Sequence, residues 1–220
     1  MDINKKICVL VLGMHRTGTS TISGILNILG VDLGNKLLLP SRDNPKGYFE
    51  HSDIVSLNKA FLNSHNLDDD GLLGELPTDW LYDNRTEDFK NKIRDLILRD
   101  FSESEIFGLK DPRISILLPA YLEVFKELGI ELRVIIANRN IQDVINSLHK
   151  RGVVSLFDSV IAYKYYYRII KSYAESLYHI HVHYDDLIID SKNLINKMIE
   201  FINHPKIKSY DDVEYEINRF

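Results

Sequence analysis

The sequence has 220 residues, of which 45% are hydrophobic, 10% aromatic and 27% charged. This length is typical of one domain, and the composition excludes a disordered chain or a disulfide-stapled one, because the single cysteine is Cys8. The formal net charge of −5 argues against a nucleic-acid binder, which is usually basic. No stretch approaches the roughly 20 apolar residues of a membrane span, so we expect one cytoplasmic domain over residues 1–220, with a reduced, buried thiol.

The predicted elements begin with a buried strand at residues 6–13, where a run rich in Val, Ile and Leu is typical of a parallel strand covered on both faces. A glycine-rich turn follows at 13–18. A helix is predicted from Ser20 to Leu29, because its apolar residues recur on one stripe. The next segment, 34–50, contains two prolines and two glycines and is predicted to be a loop.

The remainder of the chain alternates strands and helices. Further strands are predicted at residues 105–111, 131–137 and 178–184. Helices are predicted at about residues 53–63, 86–100, 115–128, 141–151 and 155–176 and from the capping pair Asp190–Ser191 to Phe201, with a polar loop at 64–85. This alternation predicts an α/β domain with a mostly parallel sheet flanked by helices, and ligands of such sheets bind beyond the carboxyl ends of the strands.

The strongest local motif is the turn between the first strand and the first helix. Its residues are Gly13, Met14, His15, Arg16, Thr17, Gly18, Thr19 and Ser20. Glycines let such a turn close with its N–H groups facing an anion, and the helix N-terminus adds its dipole. The guanidinium of Arg16 and the hydroxyl groups of the turn complete a predicted phosphate site, in which His15 either packs against the ligand or fills the turn.

The spacing of this turn is that of the phosphate-binding loop G-x-x-x-x-G-K-[ST], with one departure. Thr19 stands where a nucleotide triphosphatase carries the lysine that contacts the transferred phosphate. The positive charge lies instead at Arg16, within the loop. The sequence therefore predicts a phosphate site that does not serve ATP or GTP hydrolysis.

A second anion site is predicted at the end of the third strand. Arg139 follows that strand, and Ser147 lies eight residues later inside the next helix. If the helix folds back along the sheet, the guanidinium fork and the hydroxyl reach the same phosphate group. Two separate phosphate sites on one sheet fit a nucleotide that carries both a 5′ and a 3′ phosphate.

These motifs resemble those of the PAPS-dependent sulfotransferases, whose donor is 3′-phosphoadenosine 5′-phosphosulfate (PAPS). The family's 5′-phosphosulfate loop lacks the usual lysine, as residues 13–20 do, and its 3′-phosphate motif has the spacing of Arg139 and Ser147. The resemblance implies a P-loop-like, three-layer α/β/α sulfotransferase fold. It also implies PAPS as co-substrate, release of 3′-phosphoadenosine 5′-phosphate (PAP), and sulfuryl transfer to a hydroxyl of a glycan, lipid or small molecule.

Further stretches extend the resemblance over about residues 6–203. They are 45–50 (PKGYFE), 108–113 (GLKDPR) and 184–187 (YDDL). Two features depart from the family. Pro112 stands where some members carry a histidine base, and the segment after Lys208 lacks the Arg-Lys-Gly sequence that closes over the nucleotide in cytosolic members.

Sulfuryl transfer needs an aligned acceptor, a base for the acceptor's proton, and positive charge on the leaving phosphate. The resemblance implies Arg16 and Lys110 as the cations that stabilise the leaving group. It implies Glu50 as the first candidate for the base. His51 and Asp111 are alternatives, and it stays open that none of the three acts as base.

Other clusters favour no metal site. The alternating residues His179, His181 and His183 lack a supporting pattern of carboxylates or cysteines, and the segment Asp68–Asp70 is typical of a solvated loop. Two alternative functions remain: a nucleotide or small-molecule kinase, which would need a loop lysine and magnesium, and a nucleotide-binding module without activity. The sequence predicts neither the acceptor nor the oligomeric state.

Overall fold

A computed structural model describes residues 6–42, 44–152 and 154–220; the predicted domain also includes residues 1–5, 43 and 153, which lie outside the described part. The β-strands within the described residues are β1 (Ile7–Leu12), β2 (Ile106–Lys110), β3 (Glu131–Asn138) and β4 (His179–His183). The α-helices are α1 (Thr19–Ile28), α2 (Ser52–Ser64), α3 (Asn84–Asp100), α4 (Ile114–Glu127), α5 (Ile141–His149), α6 (Leu156–Ala174), α7 (Tyr184–Ile189), α8 (Ser191–Ile202) and α9 (Tyr210–Arg219). A short 3-10 helix, Trp80–Tyr82, precedes α3.

The strands form a parallel sheet in the order β2-β1-β3-β4, which confirms the predicted sheet. At its centre, Cys8 of β1 lies between Phe107 of β2 and Leu132 of β3. The chain leaves β1 for β2 on one side and later returns to β3 on the other, so the connections diverge between β1 and β3. In open parallel sheets this divergence creates a crevice beyond the strand ends, where ligands bind.

Helices cover both faces of the sheet, which confirms the predicted three-layer arrangement. All residues of β1 are buried, and their side chains point alternately to the two faces. Leu10 and Leu12 belong to a core shared with α2, α3, α4 and α6. Val9 and Val11 belong to a second core, shared with α1, α8 and α9. This second core also receives the loop that follows α1.

The thiol of Cys8 is free and lies in the core, where burial raises its pKa. Burial and the raised pKa make it an inert thiol, as the apolar run around it predicts. Of the helices in the described ranges, none combines the length and the apolar character needed to cross a membrane.

Two helices, α7 and α9, are not predicted from the sequence. The segment predicted as a strand to residue 184 turns into α7 at Tyr184. The signals for α9 are a capping box between Ser209 and Asp212 and a narrow buried face that includes Val213 and Ile217. Most of the remaining α9 residues are polar, so the stripe is too sparse to stand out before the core against which it packs is known.

The anion loop of residues 13–20 is tied to α4 by Ser115. The backbone N–H of Gly13 donates to Oγ of Ser115 at 3.0 Å, and that hydroxyl donates to the carbonyl oxygen of Gly13 at 3.2 Å. Ser115 has no exposed surface. One hydroxyl therefore satisfies both backbone groups of Gly13, the residue that follows β1 and opens the loop.

We expect Ser115→Ala to lower the free energy of unfolding by about 1–3 kcal/mol, because it leaves a buried donor and acceptor without partners. Urea denaturation followed by circular dichroism measures the change. The matched control is Ser172→Ala, because the exposed hydroxyl of Ser172 also donates to a backbone carbonyl, at 2.7 Å. Equal, small effects for both variants would contradict the role given to Ser115.

Candidate functional site

The anion loop, residues 13–20, folds tightly around the start of α1. Its backbone is left-handed at Arg16 (φ 72°) and Gly18 (φ 93°), and the hydroxyl of Thr17 donates to a backbone carbonyl of the loop at 2.7 Å. Among the described residues, no side chain caps the first turn of α1, which begins at Thr19. The N–H groups of that turn and the helix dipole therefore favour an anion here.

The two predicted anion sites meet at Arg16. Nε of Arg16 donates to Oγ of Ser147 at 2.8 Å, and Nη1 of Arg139 donates to the backbone carbonyl of Arg16 at 3.2 Å. Arg139 follows β3 and Ser147 lies in α5, so the divergence of the chain between β1 and β3 brings the three residues together. The sequence pairs Ser147 with Arg139 on one ligand; in the structure the Ser147 hydroxyl accepts a hydrogen bond from Arg16.

Tyr184, the first residue of α7, supports Arg139. The guanidinium carbon of Arg139 lies 4.6 Å from the centroid of the Tyr184 ring, within the range of a cation–π contact. A Cβ atom on Gly18 would come within 2.5 Å of Cδ2 of Tyr184, so the loop approaches this ring only because Gly18 has no side chain.

Nε of Arg139 is buried and has no hydrogen-bond partner among the described residues. A buried donor without a partner costs roughly 1–3 kcal/mol. An anion that accepts a hydrogen bond from Nε would remove this cost. The arrangement therefore favours an anionic ligand beside Arg139.

Lys110 and Glu50 form a buried ion pair beside the anion loop. Lys110 is 4% exposed and Glu50 is 6% exposed. The ammonium group donates to the Glu50 carboxylate and, at 3.0 Å each, to Oγ of Ser20 and the backbone carbonyl of Tyr48. Burial raises the pKa of Glu50, and the neighbouring ammonium opposes that rise. The predicted leaving-group cation and the predicted base are thus in direct contact.

His15 lies in the anion loop with a defined tautomer. Its Nε2 lies 3.0 Å from the carbonyl oxygen of Asp70, which also accepts from the hydroxyl of Tyr166 at 2.9 Å. Because a carbonyl oxygen only accepts, Nε2 carries the proton and Nδ1 keeps its lone pair. Burial and the nearby Arg113 lower the pKa of His15 to about 4, so its ring is neutral at neutral pH.

Asp111, one of the alternative bases, is a structural anchor. Its fully buried carboxylate accepts from Nδ2 of Asn58 at 2.9 Å, and from the backbone N–H and Nη1 of Arg113 at 3.0 and 2.7 Å. Arg113 also donates to the backbone carbonyl of Asp69 at 2.6 Å and to the Asp70 carboxylate at 2.5 Å. These bonds fasten the 68–71 turn to the end of β2 and occupy the Asp111 carboxylate.

His51, the other alternative base, faces α3. Its Nε2 lies 3.2 Å from Oδ2 of Asp100, and its ring centroid lies 5.8 Å from that of Phe101. His51 is 4% exposed, and it does not line either cavity beside the anion loop. Of the three candidate bases, Glu50 lines a cavity and the other two do not.

Two cavities open on the anion loop. The larger has a volume of about 340 Å³, and its lining includes His15, Tyr48, Glu50, Lys59, Lys110 and Arg151. The smaller has a volume of about 170 Å³, and its lining includes Gly18, Thr21, Arg139 and Tyr184. Both are lined by Arg16, Thr19, Ser20 and Asn44. A ligand group held at the first turn of α1 is therefore accessible from both cavities.

Three solved structures share this architecture. A sulfotransferase of Mycobacterium tuberculosis superimposes with a TM-score of 0.55 at 14% identity, over 99% of this chain and 72% of its own. The sulfotransferase domain of the Synechococcus olefin synthase gives 0.54 at 16% identity, over 92% of this chain and 75% of its own. A sulfotransferase of Mycobacterium avium gives 0.52 at 18% identity, over 100% of this chain and 68% of its own.

The chain has the sulfotransferase fold. The likeness lies in the structure, since neither a protein-family model nor a curated protein sequence matches the chain. It agrees with the fold implied by the anion loop and by the Arg139–Ser147 spacing. At these identities the superpositions concern the fold, and the chemistry of the site has to be argued from its own residues.

Within this sulfotransferase fold, several cavity residues were missed by sequence analysis. Tyr48 and Arg113 lie in stretches that resemble the family, yet nothing in their spacing shows that they line the cavity. Asn44, whose Nδ2 donates to Oγ of Ser20 at 3.2 Å, comes from a loop of uninformative composition. Tyr184 belongs to the YDDL stretch, and only the fold reveals its contact with Gly18.

The described residues contain one group whose geometry could hold a metal ion, formed by His51, Asp53 and Asp100. It lies outside both cavities, and its carboxylates already pair with cations. Asp53 contacts Lys36 at 3.1 Å and Arg99 at 2.5 Å, and Arg99 also pairs with Asp100. These pairs neutralise the carboxylates that a metal ion would need.

We expect the stability of the protein to fall between about pH 6.5 and about pH 4, with His15 as one cause. The folded state holds the pKa of His15 at about 4, below the ordinary value of 6.5. The unfolded chain therefore binds a proton first as the pH falls, so the stabilisation is complete above pH 6.5 and is lost towards pH 4. Urea denaturation at about pH 7.5 and about pH 5 measures the difference.

The variant His15→Gln keeps a donor for the Asp70 carbonyl but does not titrate. It should lose less stability than the wild type between the two pH values. The matched control is His149→Gln, which makes the same replacement at an exposed histidine. A His15→Gln variant with the full wild-type loss would show that the acid sensitivity arises elsewhere.

Proposed function

We propose that this protein transfers a sulfuryl group from PAPS to an acceptor hydroxyl and releases PAP. The observation that carries the proposal is the junction of two cavities at an anion loop, with a buried lysine–glutamate pair on the acceptor side. The sulfotransferase fold of the chain supports it. A nucleotide donor occupies the smaller cavity and the acceptor occupies the larger one.

The donor is held by its two phosphate ends. The 5′-phosphosulfate binds the N–H groups of the anion loop and the guanidinium of Arg16, with the hydroxyls of Thr19 and Ser20 as further donors. The hydroxyl of Thr17 already donates within the loop and shapes its backbone. The 3′-phosphate binds Arg139, whose buried Nε supports this assignment because it has no partner among the described residues, and Ser147. Gly18 and Tyr184, which pack against each other, form part of the lining of the donor cavity.

The reaction forms one bond and breaks one. The acceptor oxygen attacks the sulfur of PAPS, and the bond from that sulfur to the bridging oxygen of the 5′-phosphate breaks. The acceptor proton passes to the carboxylate of Glu50 and from there to solvent. Arg16, Lys110 and the first turn of α1 stabilise the negative charge that develops on the leaving phosphate.

Glu50 suits the role of base for two reasons. It lines the larger cavity, and burial raises its pKa, which makes the carboxylate a stronger base than an exposed one. The ion pair with Lys110 keeps the carboxylate ionised despite burial. Lys110 also contacts Ser20 of the anion loop, so one side chain links the Glu50 carboxylate to the donor site.

The lining of the larger cavity favours a polar acceptor. Most of its side chains are charged or hydrogen-bonding, and Tyr48 is its one benzene ring among the described residues. A planar phenol would find few stacking partners there, whereas a sugar or another compound with several hydroxyls would find many donors and acceptors. We therefore place polyhydroxylated acceptors ahead of phenols.

The test of the donor is calorimetric titration with PAP and, separately, with ATP plus magnesium. We expect tight binding of PAP and weak binding of ATP. The variant Arg139→Ala should lower the affinity for PAP by about 10- to 100-fold, since one charged hydrogen-bonding group contributes roughly 1.5–3 kcal/mol to binding. The affinity for adenosine 5′-phosphate should fall much less. Tight ATP binding would favour a kinase, and equal losses of affinity for PAP and for adenosine 5′-phosphate would remove Arg139 from the 3′ site.

The test of the base is Glu50→Gln, which keeps the side-chain shape and an oxygen for Lys110. Turnover with PAPS should fall by about 100- to 10,000-fold, the usual contribution of a general base, while PAP affinity stays nearly unchanged. The control Glu127→Gln removes a carboxylate from the exposed end of α4 and should leave turnover unchanged. Normal turnover in Glu50→Gln would exclude Glu50 as the base, and PAP binding without turnover in the wild type would favour an inactive module.

A further inference from the structure

The backbone at Phe49 adopts a left-handed conformation, with φ at 55°. For a bulky side chain this conformation is rare and costs on the order of 1–3 kcal/mol, so it persists only where the surroundings impose it. Phe49 lies between Tyr48 and Glu50, whose carbonyl and carboxylate oxygens both accept from Lys110. The turn at Phe49 lets two consecutive residues present oxygen atoms to the same ammonium group.

The ring of Phe49 packs against Phe220, and both rings border the core that β1 shares with α1, α8 and α9. The two ring centroids lie 5.6 Å apart at an interplanar angle of 67°, an edge-to-face contact. Nζ of Lys46 lies 5.1 Å from the centroid of the Phe220 ring. Phe220 thus contacts two side chains of the 34–50 loop, those of Phe49 and Lys46.

The Phe220 ring also occupies a gap in α1. A Cβ atom on Gly24 would lie 2.1 Å from Cζ of Phe220, so the ring reaches this place only because Gly24 has no side chain. Gly24 lies six residues after Gly18 on the helix that begins at the anion loop. The ring therefore lies between the donor-binding helix and the loop that carries Glu50.

Helix α9 fixes the position of Phe220. The backbone N–H of Phe220 donates to the carbonyl oxygens of Glu216 and Ile217 at 3.0 and 3.1 Å. Val213 and Ile217 bury α9 against the core shared with α1, and Ser209 and Asp212 close its N-terminus with a capping box. The ring is held by a packed helix and not by a loose end.

From these contacts we infer that Phe220 is a positioning residue for Glu50. Its ring presses on Phe49, maintains the left-handed turn there, and so keeps the Glu50 carboxylate at Lys110 and at a set distance from α1. The catalytic consequence rests on the proposed function, whereas the effect on the loop does not.

Hydrogen exchange gives a readout that needs no activity. The N–H of Leu38 donates to the carbonyl oxygen of Glu50 at 2.8 Å, and the N–H of Ser52 donates to the carbonyl of Lys36 at 2.7 Å. In Phe220→Ala we expect the amides of Leu38 and Ser52 to exchange at least about tenfold faster, because the loop opens locally more often. Gly24→Ala, which pushes the ring from its gap, should have the same effect.

The matched control is Met198→Ala, which removes a fully buried side chain from the same core on α8. It should lower the melting temperature without faster exchange at Leu38 and Ser52. If Phe220→Ala and Met198→Ala give the same exchange at these two amides, Phe220 only fills the core and the inference is overturned.

Kinetic measurements test whether Phe220 positions Glu50 through its contact with Phe49. Phe220→Ala should lower kcat by about 10- to 100-fold, the cost of displacing a catalytic group by about 1 Å, with PAP affinity nearly unchanged. The double variant Phe49→Ala/Phe220→Ala should be no worse than Phe49→Ala alone, because both changes break one contact. Additive losses would overturn the path through Phe49. Faster exchange in a protein whose wild type lacks sulfuryl transfer would refute the proposed function and leave the positioning role standing.

Discussion

The buried ammonium group of Lys110 is the constraint on which the site depends. A charge removed from water is tolerated only where it is paired and hydrogen-bonded, and Lys110 is 4% exposed. Its partners come from two other parts of the chain: Ser20 at the start of α1, and the 34–50 loop, which supplies the backbone carbonyl of Tyr48 and the carboxylate of Glu50. The hydrogen bonds of this one ammonium group therefore hold the end of β2, the anion loop and the 34–50 loop in fixed positions relative to one another.

A second buried cation, Arg113, lies three residues further along and has a different role. It pairs with Asp111 and with Asp70, and it fastens the 68–71 turn to the end of β2. That turn in turn holds His15 through the carbonyl of Asp70. Within this short stretch, Lys110 contacts the anion loop directly, whereas Arg113 stabilises the 68–71 turn that contacts His15 of that loop.

The sequence predicts those parts of the molecule that depend on the spacing and composition of neighbouring residues. The apolar strands, the glycine turn before α1 and the strand position of Lys110 follow from spacing and composition. The contact between Lys110 and Glu50 does not, because the two residues are 60 positions apart and only the packing of the 34–50 loop brings them together. The same holds for Tyr184 beneath Gly18, where the partner of the loop comes from an unpredicted helix.

The position of Lys110 also places a cation at the anion loop, which lacks the usual lysine of a phosphate-binding loop. Thr19 occupies that position in the sequence, but Nζ of Lys110 lies 3.0 Å from Oγ of the adjacent Ser20, so β2 supplies the missing cation. A lysine within the loop would contact the phosphate alone. Lys110 instead contacts both the loop and Glu50, so an anion that binds at the loop draws on the same positive charge that keeps Glu50 ionised. In the proposed reaction, the negative charge of a bound donor weakens the electrostatic stabilisation that Lys110 gives to the Glu50 carboxylate. The basicity of that carboxylate therefore rises when the acceptor has to lose its proton.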